Sequence, residues 1–196
     1  MINSIVKKNY FKNKRGTALA IGPVSKNSIM AAHLVAKERK VPLMLIASRR
    51  QIETKQISRG YVDNLTTEKY SNLLKKLKNK NIIPCRDHGG PYQGIDEKKL
   101  SKKNAMSLAK ISLKAGVDCG FKVIHIDPSI NPKNEIVPKK DLINDIIELT
   151  DFCFQYSKKK KKKISFEIGT EEPSCFTGTP NQLNELVDEI INQLRL

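Results

Sequence analysis

The sequence predicts an α/β fold, a TIM-type (βα) barrel that is partial, with about five βα units. Three observations carry that prediction. From residue 17 onward, short apolar runs alternate with longer amphipathic stretches, the pattern of parallel strands joined by helical crossovers. The last four apolar runs begin near residues 42, 81, 121 and 163, and units of such regular length point to a barrel of repeated βα units. Finally, the first run ends in Gly22-Pro23-Val24-Ser25-Lys26, which is neither a dinucleotide fingerprint nor a phosphate loop, so an open nucleotide-binding sheet is disfavoured.

Residues 1–16 are polar and basic and read as a lead-in to one barrel domain over residues 17–196. The first strand spans residues 17–22. Ser25 is the N-cap expected for a helix over 26–39, whose Ile29, Ala32, His33 and Ala36 share a face. A second strand over 41–47 gives way to a long polar loop over 48–64. Thr66-Thr67-Glu68-Lys69 opens the next helix, with Tyr70, Leu73, Leu74 and Leu77 as its apolar stripe. The third strand, 81–86, contains Pro84, which cannot donate to a ladder. A helix over 104–115 turns Ala105, Leu108, Ala109 and Ser112 inward, and a strand over 121–127 stops at Pro128. The remaining elements are a helix over 139–156, a strand over 164–169, and a last helix opened by Pro180 that carries Leu183, Leu186, Val187, Ile190 and Ile191 along one side.

Composition narrows the function. The 196 residues suffice for one ordinary domain, and no apolar run approaches the length of a membrane span. The first ten residues lack the apolar stretch of a secretory signal, so a cytoplasmic location is the expectation. Cys85, Cys119, Cys153 and Cys175 are widely spread, which argues against disulfides and a structural zinc knot. The net charge of +16 fits attraction of anionic metabolites such as sugar phosphates. Aromatic residues are only 6% and no aromatic ladder interleaves the lysines, so nucleic acid is disfavoured as a partner. The lysine block at 158–163 reads as a solvated connector.

The chemistry collects at the strand ends. Alternation turns Ile124, Ile126, Ile164, Phe166 and Ile168 toward the helices, and His125, Asp127, Ser165, Glu167 and Gly169 toward the barrel interior. Asp87, His88, His125, Asp127, Glu167, Glu171 and Glu172 are thereby candidates for one cavity at the C-terminal rim. Gly89 and Gly90 let a ligand approach the backbone, and Ser48, Arg49 and Arg50 are available for a phosphate. His88 with one or two of the carboxylates is a candidate site for a divalent cation such as zinc. His125 is equally suited to an interior hydrogen-bonded role and to ligation. His33, on a helix face, reads as a packed or surface histidine.

Five ordered segments at these strand ends resemble a known family: residues 20–27 (AIGPVSKN), 42–51 (PLMLIASRRQ), 86–91 (RDHGGP), 124–129 (IHIDPS, which brings in Ser129) and 167–172 (EIGTEE). They look like the class II tagatose-bisphosphate aldolase non-catalytic subunits, the Z-type accessory subunits, with this chain as the N-terminal portion. The resemblance implies a TIM barrel of sugar-phosphate metabolism, associated with cleavage of D-tagatose 1,6-bisphosphate to glycerone phosphate and glyceraldehyde 3-phosphate. Members have also carried the name tagatose-6-phosphate kinase, although no nucleotide loop is recognisable here. In catalytic relatives an Asp-His pair supplies an acid/base carboxylate and a zinc-binding histidine. By resemblance Asp87 is then the proton-transfer group, and His88 holds a divalent metal together with Glu167, the strand-five acid, which is also a catalytic candidate. Z-type subunits are regarded as supporting a catalytic partner, so a catalytic aldolase subunit or a homo-oligomer is the expected assembly. Two alternatives accompany this reading: a non-enzymatic partial-barrel structural subunit, and a sugar-phosphate isomerase or epimerase on the same scaffold.

Overall fold

Parallel pairing in chain order organises the molecule. The computed structural model describes residues 18–133, 135–170 and 179–194. Strands β1 (Leu19–Ile21), β2 (Leu43–Ser48), β3 (Ile82–Asp87), β4 (Val123–Ile126) and β5 (Ser165–Ile168) form one sheet in the order β1-β2-β3-β4-β5, every pair parallel. Helices α1 (Lys26–Glu38), α2 (Thr67–Leu77), α3 (Lys102–Cys119) and α4 (Lys139–Lys159) fill the crossovers, and α5 (Pro180–Leu194) follows β5. Among the described residues β1 and β5 do not pair with each other, so the sheet is an open arc, the partial barrel that the sequence predicts. The lead-in expected over residues 1–16 lies outside the described residues. No helix among the described residues is long and apolar enough to cross a membrane.

Period-two alternation divides each strand between two faces. Leu43, Leu45, Ala47, Ile124 and Ile126 join Ile29, Ala32 and Ala36 of α1, Ala109 and Leu113 of α3, and Leu142, Ile146 and Leu149 of α4 in the main core. Each large aliphatic side chain buried there contributes about 1.5–3 kcal/mol. On the other face Ile83, Cys85 and Val123 pack with Met44 and Ile46, the beginning of a barrel interior.

Local chemistry sets the boundaries. Ser25 and Ser28 form a reciprocal capping box at the start of α1, and the Thr66 hydroxyl accepts from Lys69 N at the start of α2. The helix expected over 104–115 runs longer at both ends, because Ser101 caps Asn104 N and Gly120, at φ 87°, supplies the left-handed stop. Pro84 does sit inside β3 without damage. Its carbonyl accepts from Lys122 N at 2.8 Å, and the β3–β4 pairing begins only at Cys85–Val123, so the missing N–H falls where β4 has not yet begun.

Residues 48–64, expected to be a long polar loop, fold down over the ends of β2 and β3. Ile52 and Val62 are fully buried, Val62 N donates to Gln51 O, and Glu53 bridges Thr66. The fold-over is anchored by buried charge. Arg49 Nε donates to Glu53 Oε2 at 2.9 Å, its Nη1 to Gly90 O at 2.7 Å and to Glu97 Oε2 at 3.0 Å, and its Nη2 to Glu97 Oε1. Glu53 Oε1 accepts from Ser112 Oγ of α3 at 2.6 Å and from Thr54 N at 2.8 Å. Beside it Arg86 reaches from β3 to Ile52 O and Thr67 Oγ1, at 2.8 and 2.7 Å, with its guanidinium over the Phe121 ring.

Removing Arg49 leaves two carboxylates buried without their cation. Arg49→Met is expected to lose about 3–5 kcal/mol in chemical denaturation. Adding Glu97→Gln should recover part of that loss, and strictly additive effects would contradict the clamp.

Candidate functional site

Register places four polar side chains in one row across the inner face, at the C-terminal ends of the strands. Ser48 pairs with Asp87 and His125 with Glu167; the Cys85–Val123 pairing, carried two residues onward, sets Asp87 beside His125. The side chains confirm the last step, with His125 Nδ1 3.1 Å from Asp87 Oδ1. His125 is buried, and a Cβ at Gly169 would stand 2.4 Å from its Nε2, so that glycine on β5's continuation makes room for the ring.

The chain turns sharply after Asp87. His88 adopts a left-handed φ of 46°, and Gly89 N–H donates to His125 O at 3.0 Å, which folds the His88 ring back over the row. There His88 Nδ1 lies 3.1 Å from Asp127 Oδ2 and Nε2 lies 3.7 Å from Asp87 Oδ2; the two imidazole centroids are 5.8 Å apart. Asp127 is fully buried and fixed in turn, its Oδ2 accepting from Gln93 Nε2 at 2.7 Å and its Oδ1 from Ser129 N and Oγ.

Opposite charges settle the ionisation. Burial alone would raise the Asp87 pKa, but the His125 hydrogen bond and the charge of both imidazoles outweigh it and hold the carboxyl below the usual range. Burial alone would lower His125, but the hydrogen bond to Asp87 and the charges of Glu167, Asp127 and Asp87 outweigh that and raise it. Nδ1 of His125 also lies 3.4 Å from His88 N, yet it cannot donate to Asp87 and accept from that amide at once. The nearer carboxylate assigns the proton to Nδ1.

One donor atom each from Asp87, His88 and His125 lie within 4.8 Å of one another, a set that could hold a metal ion. Two imidazoles and a carboxylate are the nitrogen and oxygen donors that divalent transition metals take. The Asp127 carboxylate on Nδ1 of His88 is the outer hydrogen bond that orients a ligating histidine with its other nitrogen toward the ion.

Several expected roles change. Arg49 is not available to a phosphate, because it is wholly buried and bonded to Glu53, Glu97 and Gly90 O; its neighbour Arg50 is the exposed member of the pair. Gly89 and Gly90 serve chain packing in place of ligand approach: a Cβ at Gly89 would stand 2.2 Å from His125 O, and one at Gly90 1.8 Å from Asp127 O. Asp127 and Ser129 are buried and bonded to each other, so they orient His88 rather than face a substrate. The Ser48 hydroxyl accepts from Gln51 N at 3.2 Å, closing the turn after β2. Glu167 is exposed at the end of the row, and the metal-competent group holds His125 in its place. His33 is a packed histidine beside Asn79. Glu171 and Glu172 lie outside the described residues. Gln93, which no sequence pattern marked, fixes Asp127 from a loop residue 34 positions away.

Comparison with known proteins agrees with this geometry in fold. Residues 2–191 match the family model described as D-tagatose-1,6-bisphosphate aldolase subunit GatZ/KbaZ-like. No curated protein matches the chain. A crystal structure of a probable tagatose 6 phosphate kinase from Sinorhizobium meliloti 1021 is similar over 91% of this chain and 44% of that one, at 22% identity and a TM-score of 0.73. This chain therefore spans less than half the length of that protein. More distant are the IOLI protein solved with a binding zinc atom (13% identity, 92% of this chain and 60% of that one, TM-score 0.49) and the fructose-bisphosphate aldolase of Campylobacter jejuni (16%, 91% and 60%, 0.45).

The two pKa shifts define a pH window for the chelator-treated protein. The contribution of Asp87, with its pKa lowered on folding, is present above the ordinary carboxylate value and is lost as pH falls through the lowered one. That of His125, raised on folding, is present below the ordinary imidazole value and is lost as pH rises through the raised one. Ordinary aspartate and histidine side chains titrate at about 3.9 and 6.5, so both contributions are present near pH 5.5 and the histidine one is lost at alkaline pH. The melting-temperature deficit of Asp87→Asn should thus be larger near pH 5.5 than at about pH 8.5. A deficit independent of pH would contradict the pairing.

Proposed function

The chain belongs to the D-tagatose-1,6-bisphosphate aldolase subunit GatZ/KbaZ-like family, and on that footing we propose that it is an accessory subunit of a class II tagatose-bisphosphate aldolase, carrying a divalent-metal and sugar-phosphate site. The observation that carries this reading is the convergence of Asp87, His88 and His125 at the ends of adjacent parallel strands. His88 and His125 would hold the ion, with zinc the candidate, and Asp127 would orient His88. When bound, such a cation polarises the ketose carbonyl.

Asp87 is the group positioned for proton transfer. Ionised at neutral pH, it can accept the proton of the hydroxyl on the carbon released as aldehyde, while the electron pair of the breaking carbon–carbon bond moves toward the ketose carbonyl. His125 holds Asp87 through Oδ1, which fixes the carboxylate's direction. Glu167 stands at the open end of the row as a second acid.

Assembly with another chain is supported by both ends of the arc. Leu183, Val187 and Ile191 are 46%, 41% and 41% exposed along one side of α5, and Met30 and Leu34 are 38% and 50% exposed on α1. These stripes lie on the helices that follow β5 and β1, the two outer strands of the sheet among the described residues, and fit a catalytic aldolase subunit or further copies of this chain.

The test is zinc binding by calorimetry together with retro-aldol turnover of D-tagatose 1,6-bisphosphate, alone and with a catalytic subunit. Wild type should bind one ion, with affinity falling at least about tenfold in His88→Ala and His125→Ala and about 10–100-fold in Asp127→Asn. Turnover in the mixture should fall in Asp87→Asn. Unchanged metal affinity in all three metal-site variants, with no effect of the chain on turnover, would leave the structural-subunit alternative standing; isomerised or epimerised sugar without cleavage would favour the other.

A further inference from the structure

Buried and exposed charge alternate along two neighbouring loops in a way that the metal group does not use. Arg49 is buried and Arg50, the next residue, is exposed; Glu97 is buried and Lys98 and Lys99, the next two, are exposed. The buried members bond to each other, so the loop after β2 and the loop after β3 are pinned side by side by the Arg49–Glu97 pair. The exposed members line one cleft of about 400 Å3 with Gly94, Ile95 and Asp96. Gly94 forms a wall of that cleft directly against the clamp: its N–H donates to Glu97 Oε2 at 3.3 Å, and a Cβ there would stand 2.3 Å from Glu97 Oε1.

The cleft's three cations face a single acid, Asp96. Among the described residues the side chains of Arg50, Lys98 and Lys99 make no ion pair, whereas lysines elsewhere do, Lys102 with Asp145 and Lys110 with Glu148. Three like charges held together on fixed loops repel one another, and an anion relieves that repulsion. A guanidinium presents a planar fork that matches two phosphate oxygens, and the two ammonium groups add point charge.

We propose that Arg50, Lys98 and Lys99 form a phosphate subsite on the C-terminal rim, with the buried Arg49–Glu97 pair as its positioning element. The loops follow β2 and β3, the strands that carry Ser48 and Asp87, so the subsite shares the rim with the metal group. Its assignment to the phosphate of a phosphorylated ketose rests on the function proposed above; phosphate binding itself does not. A second basic cleft, of about 770 Å3 around Lys37, Lys40, Lys78 and Lys80, lies at the other end of the strands beside Asn81. Its cations are lysines, with His33 also in its lining, it has no arginine, and among the described residues no buried ion pair lies beneath it; it serves as the internal control.

Inorganic phosphate titrated into the intact, chelator-treated chain at low ionic strength tests the proposal. Arg50→Gln and Lys98→Gln/Lys99→Gln should each weaken binding about tenfold or more without lowering the melting temperature, and Lys37→Gln/Lys80→Gln should leave it within about twofold. His88→Ala should also leave it within about twofold, so loss of the metal reading and loss of the subsite are separable. In a second arm, a phosphorylated ketohexose that binds more tightly than phosphate and is weakened by Arg50→Gln assigns the subsite to the sugar; equal affinities assign it to the free anion. Phosphate affinity unchanged in the Arg50 and Lys98/Lys99 variants, or reduced equally by the Lys37/Lys80 variant, would overturn the subsite.

Discussion

The parallel register between β3 and β4 is the constraint on which the rest depends. It sets Cys85 opposite Val123, and two residues further on it sets Asp87 opposite His125. A slip of one residue would turn His125 into the helix-side core and Ile124 or Ile126 onto the inner face. The apolar demand of the core, where Ile124 and Ile126 are wholly buried, therefore fixes the position of the site's polar side chains.

Above that register, the close approach of the loop after β3 to the end of β4 shapes the site. Gly89 and Gly90 let the backbone settle onto His125 O and Asp127 O, and His88 folds back toward Asp87 and Asp127. The left-handed backbone at His88 costs on the order of 1–3 kcal/mol, and it persists because the contacts on either side over-determine it. Arg49 completes the arrangement by donating to Gly90 O from beneath. A buried ion pair gives back little more than its desolvation costs, so the contribution of the Arg49–Glu53–Glu97 group lies in geometry, holding two loops and the glycine turn in one frame.

Much of this architecture is legible in the sequence, because strand alternation and helical periodicity are local patterns. Ile124 and Ile126 against His125 and Asp127 announce which face is which, and Ser25 and Thr66 announce where two helices begin. What stays illegible depends on distant partners. Which of Arg49 and Arg50 is buried is decided by Glu97, 48 positions later, and whether Asp127 faces a ligand or holds His88 is decided by a pairing across 39 positions. The glycines after Asp87 have the same character, since a turn that admits a ligand and one that admits a neighbouring strand look alike in sequence. The loop over 48–64 reads only as polar, and nothing local shows that its polar residues include Glu53, whose partners Arg49 and Ser112 are supplied inside the fold.

If Asp87, His88 and His125 meet at one point, a single ion must feel both imidazoles at once. X-ray absorption at the zinc edge, on the intact chain loaded with one equivalent of zinc, tests this most directly. The expected result is a low-coordinate shell with two imidazole nitrogens at about 2.0–2.1 Å and the remainder oxygen, reduced to one imidazole in His125→Ala. A shell without imidazole scattering, or one that His125→Ala leaves unchanged, would contradict it.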